Sequence, residues 1–399
     1  MHRGTLVVGQ SGGPTAVINR SLAGVIEEAT RNAQVDRVLG LVHGIEGALN
    51  EELLDLGAQS EAVIKGLLST PASALGSCRR KLTPADYARI VKVFRAQDVR
   101  YFLYIGGNDS MDTAHQVEAL ARAEGYELNA AGIPKTIDND LVRTDHCPGY
   151  GSVARFVAQT TMDITRDLQS MSTFMQVYVL EVMGRNAGWI AAAASLASRP
   201  GHELPLVICV PEVPFEPEAF LARVQQLQRE RGYVVVVASE SLRAADGRPM
   251  ASFAGNTTDS FGHKVPSGLG DQIASLIRSE LGLACRSERP GSVQRSASVF
   301  ASSVDQAEAQ EAGRAAVRRT TAGESGFMVT LERVESRPYR FATGTAPLAE
   351  VANQERLLPP EFMVPFGVTS AFTDYAAPLI GDPLPQYLDF EPILAEKRC

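Results

Sequence analysis

Apolar residues in this chain fall into short unbroken runs, separated by longer stretches with helical spacing. Residues 5–8, Thr-Leu-Val-Val, are the first run. We read them as a strand closed by Gly9-Gln10-Ser11-Gly12-Gly13-Pro14, with a helix from about Ala16. Residues 35–42, 101–105 and 130–133 read as further strands, and helices are expected over 84–97 and from Ser110. Within 84–97, Tyr87, Ile90, Val91 and Phe94 recur on one helical face, and Pro84 suits a first turn. The pattern then restarts with helix 151–168, strand 176–182, helix 187–197, strand 206–210, helix 217–231 and strand 234–238. Leu269, Ile273, Leu276 and Leu281 mark another helix, and 304–320 a last one. Continuous apolar strands between helices are typical of parallel sheets covered on both faces. We therefore expect two doubly wound, mostly parallel α/β domains. The first should span 1–149 and be completed by about 293–337, and the second should span 150–292. From about Pro338 prolines are frequent and periodicity is lost, so 338–399 is expected to be an irregular extension.

The length of 399 residues, too long for one ordinary domain, agrees with two. No run approaches the roughly 18 apolar residues of a membrane helix. Lys plus Arg number 38 against 46 Asp plus Glu, and a net charge of -8 argues against a nonspecific nucleic-acid binder. The five cysteines form no CxxC pair and there is no HExxH, which fits a reducing compartment and not a disulfide framework or zinc site. Met1-His2-Arg3 runs at once into the first strand, so no leader is expected and the protein is read as cytoplasmic.

Ligands of open parallel sheets bind beyond the carboxyl ends of the strands. Four such ends carry unusual residues. Gly9–Gly13 is either an anion cradle at a helix N-terminus or a plain tight turn. Gly106-Gly107-Asn108-Asp109-Ser110 offers a carboxylate suited to Mg2+, or merely an N-cap. Pro134-Lys135-Thr136-Ile137-Asp138-Asn139-Asp140 holds two acids, a lysine and a threonine. One acid could act as general base, and the lysine could neutralise a moving phosphoryl group. Met183-Gly184-Arg185 offers an arginine for phosphate, or merely a surface arginine. Glu240 follows the apolar strand 234–238 and suits sugar hydroxyls. Arg286, Arg289 and Arg295, with Arg79-Arg80-Lys81, form two local basic clusters. Gly149-Tyr150-Gly151-Ser152-Val153-Ala154 matches a dinucleotide fingerprint, but it follows no strand and lacks the acidic partner about 20 residues on.

Taken together, these motifs resemble the phosphofructokinase family from Val7 to about Arg295, with four loops in the family order. The resemblance implies phosphoryl transfer to the 1-hydroxyl of fructose 6-phosphate with Mg2+ as cofactor. It implies no nucleic-acid or membrane partner, and a homodimer or homotetramer. By resemblance Asp138 is the base, with Lys135, Thr136, Arg185 and Asp109 also in the catalytic group. Thr136, Ile137, Asp138, Met183, Gly184, Arg185, Glu240, Arg286, Ser292 and Arg295 would bind the sugar phosphate, with Arg286 and Arg295 on its 6-phosphate. Gly12, Gly13, Gly107, Asp109 and Lys135 would bind the donor, and Asn108 or Asp109 would lie near the metal. ATP-using members usually have glycine where Asp109 stands, and pyrophosphate users have aspartate. Lys135 also fits pyrophosphate users. Pyrophosphate is therefore the expected donor, with ATP as the alternative. Three positions depart from the common pattern: Asn108 replaces a metal-associated aspartate, Gln176 an inter-subunit arginine, and Ser292 a histidine or tyrosine. A second sugar phosphate such as sedoheptulose 7-phosphate stays open. Arg79, Arg80 and Arg155 are candidates for the missing inter-subunit arginine. Two further readings are a noncatalytic subunit and a dehydrogenase. Retention of the catalytic-loop residues weighs against the first, and the absence of a fingerprint strand weighs against the second.

Overall fold

The computed structural model describes residues 3–250, 252–258, 264–391 and 393–396. Strands β1 (Gly4–Gln10), β2 (Val35–Leu41), β3 (Leu53–Asp55), β4 (Val99–Gly106) and β5 (Asn129–Pro134) alternate with helices in the first third. Strands β6 (Val177–Val182), β7 (Leu206–Cys209) and β8 (Val234–Ser239) follow, then a hairpin of β9 (Ser252–Thr258) and β10 (Lys264–Ser267). Last come β11 (Cys285–Glu288), β12 (Phe327–Ser336) and β13 (Tyr339–Pro347).

Two mixed α/β layers result. The first sheet has the order β13-β12-β5-β4-β1-β2-β3 and the second the order β11-β6-β8-β7. All pairings in the second sheet are parallel, as are those from β12 through β5, β4 and β1 to β2. The apolar runs explain this. In β1, Leu6 and Val8 enter one core with Ile18 and Leu22, while Val7 enters another with Phe102 and Tyr104. In the second sheet, Tyr178, Leu180, Val235 and Val237 face one core, and Val177, Val179, Val234 and Val236 the other. The central strands β1, β6 and β8 thus bury both faces, which requires helices on both sides.

The strand order places the ligand crevices. In the first sheet the chain moves outward from β1 to β2, then returns to lay β4 on the other side of β1. The reversal leaves a crevice between the carboxyl ends of β1 and β4. In the second sheet the chain places β7 and β8 on one side of β6 and then returns to lay β11 on the other, so the corresponding point lies between β6 and β11. All four expected loops leave strands at or next to these two points.

The tail differs from expectation. Tyr339–Pro347 is a regular strand, paired antiparallel with β12, and it extends the first sheet beyond residue 338. Pro338 sits in the hairpin turn, where its missing N–H costs no ladder bond, so the proline hid a strand. Ser370–Ala376 is a helix whose Phe372 and Ala376 join the core of the second sheet. The dinucleotide-like glycines have a packing role. Gly149 has φ +109°, and a Cβ on Gly151 would lie 2.4 Å from the Leu379 carbonyl oxygen. The buried Asp305 carboxylate accepts the Gly149 and Ser152 N–H groups and so caps the helix Tyr150–Ser170. Among the described residues, no helix is long and apolar enough to cross a membrane.

Candidate active site

The loop after β5 is pinned at both ends. Lys135 N–H donates to the Gly106 carbonyl at the end of β4 (3.0 Å), and Thr136 N–H donates to Pro148 O (3.2 Å). The Thr136 hydroxyl accepts the Asp138 N–H (3.1 Å), folding the chain so that Asp138 points into the crevice between the two sheets. There Arg185 Nε lies 3.9 Å from Asp138 Oδ2. Burial, then Asp140, push the Asp138 carboxyl up to about 7, and Arg185 only partly offsets them. A carboxyl that titrates near neutrality is matched to general-base work at physiological pH.

Lys135 is 4% exposed, and its Nζ donates to Gly13 O at 2.9 Å. Burial lowers its ammonium to about 8, with Asp138 acting in the opposite sense and Arg185 adding to the fall. A Cβ placed on Gly12, where φ is +74°, would lie 3.1 Å from Lys135 Nζ. One on Gly13 would lie 3.1 Å from Arg295 Nη1 and 4.0 Å from Arg79 Nη2. The two glycines are therefore ringed by three cations, a cradle for a polyanion that any side chain would fill.

This geometry bears on two of the expectations. Arg295, expected on the sugar's 6-phosphate, lies against the glycine loop and near Asp138. Burial and Arg79 lower its guanidinium, and Asp138 pulls the other way. Arg79, read from sequence as part of a basic cluster and as a candidate inter-subunit arginine, is delivered to the cradle of its own chain by its neighbours. Gly12 N–H donates to Cys78 O, and the Ser77 hydroxyl donates to Gly12 O at 2.6 Å. The other two arginines considered for a neighbouring subunit are occupied locally. Arg80 pairs with Asp86 (2.9 Å), and Arg155 donates to the carbonyls of Ile380 and Asp382.

Asn108 and Asp109 open the helix Asn108–Ala123 at the end of β4. The Asn108 carboxamide accepts Asp109 N–H (2.9 Å) and donates to Gln354 O (3.3 Å). Asp109, half-buried, is the carboxylate of this pair.

On the facing side, the loop after β6 is shaped by its backbone. Gly184 has φ +151°, a Cβ there would meet Ala187 O at 2.7 Å, and Arg185 has φ +43°. Met183 N–H is held by the buried Gln294 (Oε1, 3.1 Å) from the short helix Val293–Ser296. The Glu240 carboxylate accepts the Gly184 and Arg185 N–H groups, although burial and Glu181 raise it overall. Glu181 is buried against Gly270 N–H (2.7 Å) with Arg289 Nη1 at 3.5 Å. Ile137 packs into the core beneath the loop. Ser292 is exposed at the start of its helix.

Arg286 is not brought to Asp138 within one chain. On the edge strand β11 it pairs in register with Tyr178 of β6, stacks 4.8 Å over that ring and pairs with Asp167. Gln176, expected where relatives place an arginine, ties Ala284 N–H and Ser172 O together inside its own chain. Sequence reasoning missed Gln294, gave Glu181 no role of its own, and did not place Arg79 beside the glycine loop. Gln294 and Arg79 reach these loops through contacts distant in sequence.

A near-neutral carboxyl facing a guanidinium, beside a glycine cradle with three cations, can accept a hydroxyl proton while phosphate charge moves past it. The phosphofructokinase family pattern matches residues 5–320. A pyrophosphate–fructose 6-phosphate 1-phosphotransferase from Xanthomonas campestris pv. campestris (strain B100) is 44% identical over 100% of this chain and 99% of that protein. One from Methylococcus capsulatus is 45% identical over 95% of this chain and 92% of that protein. The crystal structure of a pyrophosphate-dependent phosphofructokinase from Nitrosospira multiformis superposes with a TM-score of 0.89 at 42% identity, covering 98% of this chain and 95% of that one.

Proposed function

This chain belongs to the phosphofructokinase family, and from that membership we propose that it moves a phosphoryl group reversibly from pyrophosphate to the 1-hydroxyl of fructose 6-phosphate. The products are fructose 1,6-bisphosphate and orthophosphate. The observation that carries the reading is the position of Asp138, 3.9 Å from Arg185 and next to the cradle of Gly12, Gly13, Lys135, Arg79 and Arg295. Asp138 takes the proton of the 1-hydroxyl, and the freed oxygen forms a bond to the terminal phosphorus. The bridging P–O bond breaks with its electron pair on the departing orthophosphate, to which the proton finally passes. Lys135, Arg79 and Arg295 hold the donor and neutralise charge in transit, and Arg185 steadies the group between the two oxygens. Glu240 and the Met183–Arg185 loop hold the sugar.

Asp109 fits a hard divalent cation such as Mg2+, which takes one or two carboxylates plus substrate oxygens. Among the described residues, no three Asp, Glu, His or Cys side chains converge as a protein-only cage. When bound there with the donor, such an ion draws charge from the leaving phosphate. The test is bisphosphate formation from pyrophosphate and fructose 6-phosphate, followed by an aldolase-coupled assay. Pyrophosphate consumed with the sugar left intact would refute the reading.

Lys135→Met is expected to lower kcat with pyrophosphate at least 100-fold while the KM for the sugar changes less than fivefold, because the charge acts on the moving group. Steady-state kinetics check this, and an unchanged kcat with a raised sugar KM would make Lys135 a binding residue only.

We further propose that Arg286 serves the sugar phosphate of a second copy, since in its own chain it sits on an edge strand against Asp167. Light scattering at active concentrations should give at least a dimer. A particle of single-chain mass would overturn this.

A further inference from the structure

We infer that Arg356 is a positioning residue for the candidate base: a strap over residues 352–358 grips the backbone that carries Asp138 and fixes it against the sugar-phosphate loop. This rests on the phosphoryl-transfer reading above and deepens it.

Asp138 is followed by Asn139, which has φ +55°, a left-handed conformation that asparagine tolerates better than most side chains and that turns the chain sharply after the candidate base. The Asn139 side chain donates to Tyr375 Oη (3.0 Å) and accepts Cys147 N–H (3.0 Å). Its carbonyl accepts two bonds from Arg356, Nε at 3.1 Å and Nη2 at 3.0 Å. Arg356 Nη1 donates to Thr144 O (2.8 Å) and Asp145 O (2.6 Å), and Arg356 N–H donates to Asp140 O (2.7 Å). One side chain thus gathers three carbonyls of the loop, and its own N–H takes a fourth. A planar guanidinium fork can do this, and a lysine ammonium cannot hold the same spread.

The other side of the strap holds the second sheet's loop. The guanidinium lies 4.6 Å over the Trp189 ring, and Trp189 Nε1 donates to Arg356 O (3.2 Å). Asn186, next to Arg185, donates to the Glu355 carboxylate at 3.1 Å. Glu212 Oε1 accepts both Gly188 N–H and Leu358 N–H, each at 2.8 Å. The strap also touches the donor loop, where Asn108 donates to Gln354 O. Asp138 and Arg185 come from different sheets, so their mutual placement depends on whatever ties these loops together. Displacement of reacting groups by about 1 Å can cost on the order of 100-fold in rate.

The experiment compares wild type, Arg356→Lys and Arg356→Ala by kinetics and by backbone hydrogen exchange. We expect kcat to fall at least 30-fold in Arg356→Ala, with both KM values within threefold. Arg356→Lys should recover less than a tenth of the loss, and added guanidinium at millimolar concentration should partly restore Arg356→Ala. In Arg356→Lys, amides over residues 138–147 should exchange at least tenfold faster while β1, β4 and β6 keep their protection. The emission of Trp189, the only tryptophan, should shift as its stacked cation is lost. Unchanged exchange over 138–147, or uniform loosening of the whole chain, overturns the inference, as does a kcat within threefold of wild type. If wild type itself makes no bisphosphate, the functional reading fails, and the exchange pattern alone decides the role of Arg356.

Discussion

Asp138→Asn is expected to fold and to lose roughly 100- to 10,000-fold in kcat, the usual worth of a positioned general base. The sugar KM should move only a few-fold, because the carboxylate acts mainly in the transition state. The pH profile gives the same residue a second signature. Asp138 must be ionised, so kcat/KM should fall as pH drops through about 7. Lys135 must be protonated, so it should fall again as pH rises through about 8. Asp138→Asn should lose the acid limb. Stability should move the opposite way. The folded carboxyl titrates at about 7, above an unfolded value of about 3.9. Its contribution to stability is therefore present at low pH and lost as pH rises towards 7. Asp138→Asn should accordingly raise Tm at pH 8 and leave it unchanged near pH 4. A variant retaining more than half of wild-type kcat would remove Asp138 from the mechanism.

Asp109→Gly carries the second large effect. Two unit charges about 4 Å apart repel by roughly 1 kcal/mol in water and about 4 kcal/mol at an effective dielectric near 20. At about 1.4 kcal/mol per tenfold, Asp109 alone can weaken a nucleotide whose α-phosphate must sit beside it by roughly ten- to a thousandfold. Its bulk adds to that. Asp109→Gly is expected to raise ATP-dependent kcat/KM at least tenfold and to lower the pyrophosphate value, since the carboxylate proposed for the divalent cation is gone. The helix Asn108–Ala123 loses an acid from its first turn, so a modest fall in Tm should accompany the switch. Parallel kinetics with both donors check this, and unchanged values for both would show that this side chain is not the gate.

The layers and loops were legible in the sequence because parallel strands buried on both faces must be apolar without interruption. Each of β1, β4, β5, β6 and β8 ends abruptly where glycine or charge begins, and those ends line the candidate site. The residues that tie the site together left no such trace. Arg356 meets Asn139 across 217 positions, and nothing in Gln-Glu-Arg-Leu-Leu distinguishes it from a surface turn. Arg295 was legible as a candidate phosphate ligand, but its place against the glycine loop depends on how the short helix Val293–Ser296 is turned, and no local pattern records that. The strand β13 was hidden by Pro338, which lies at a hairpin where its effect on pairing is nil.

The most direct measurement is a donor comparison on the purified wild-type protein, with fructose 6-phosphate and Mg2+ fixed and either pyrophosphate or ATP varied. Fructose 1,6-bisphosphate is expected from pyrophosphate with a kcat/KM at least 100-fold above that for ATP. Equal or greater efficiency with ATP, or no bisphosphate from pyrophosphate, would contradict this.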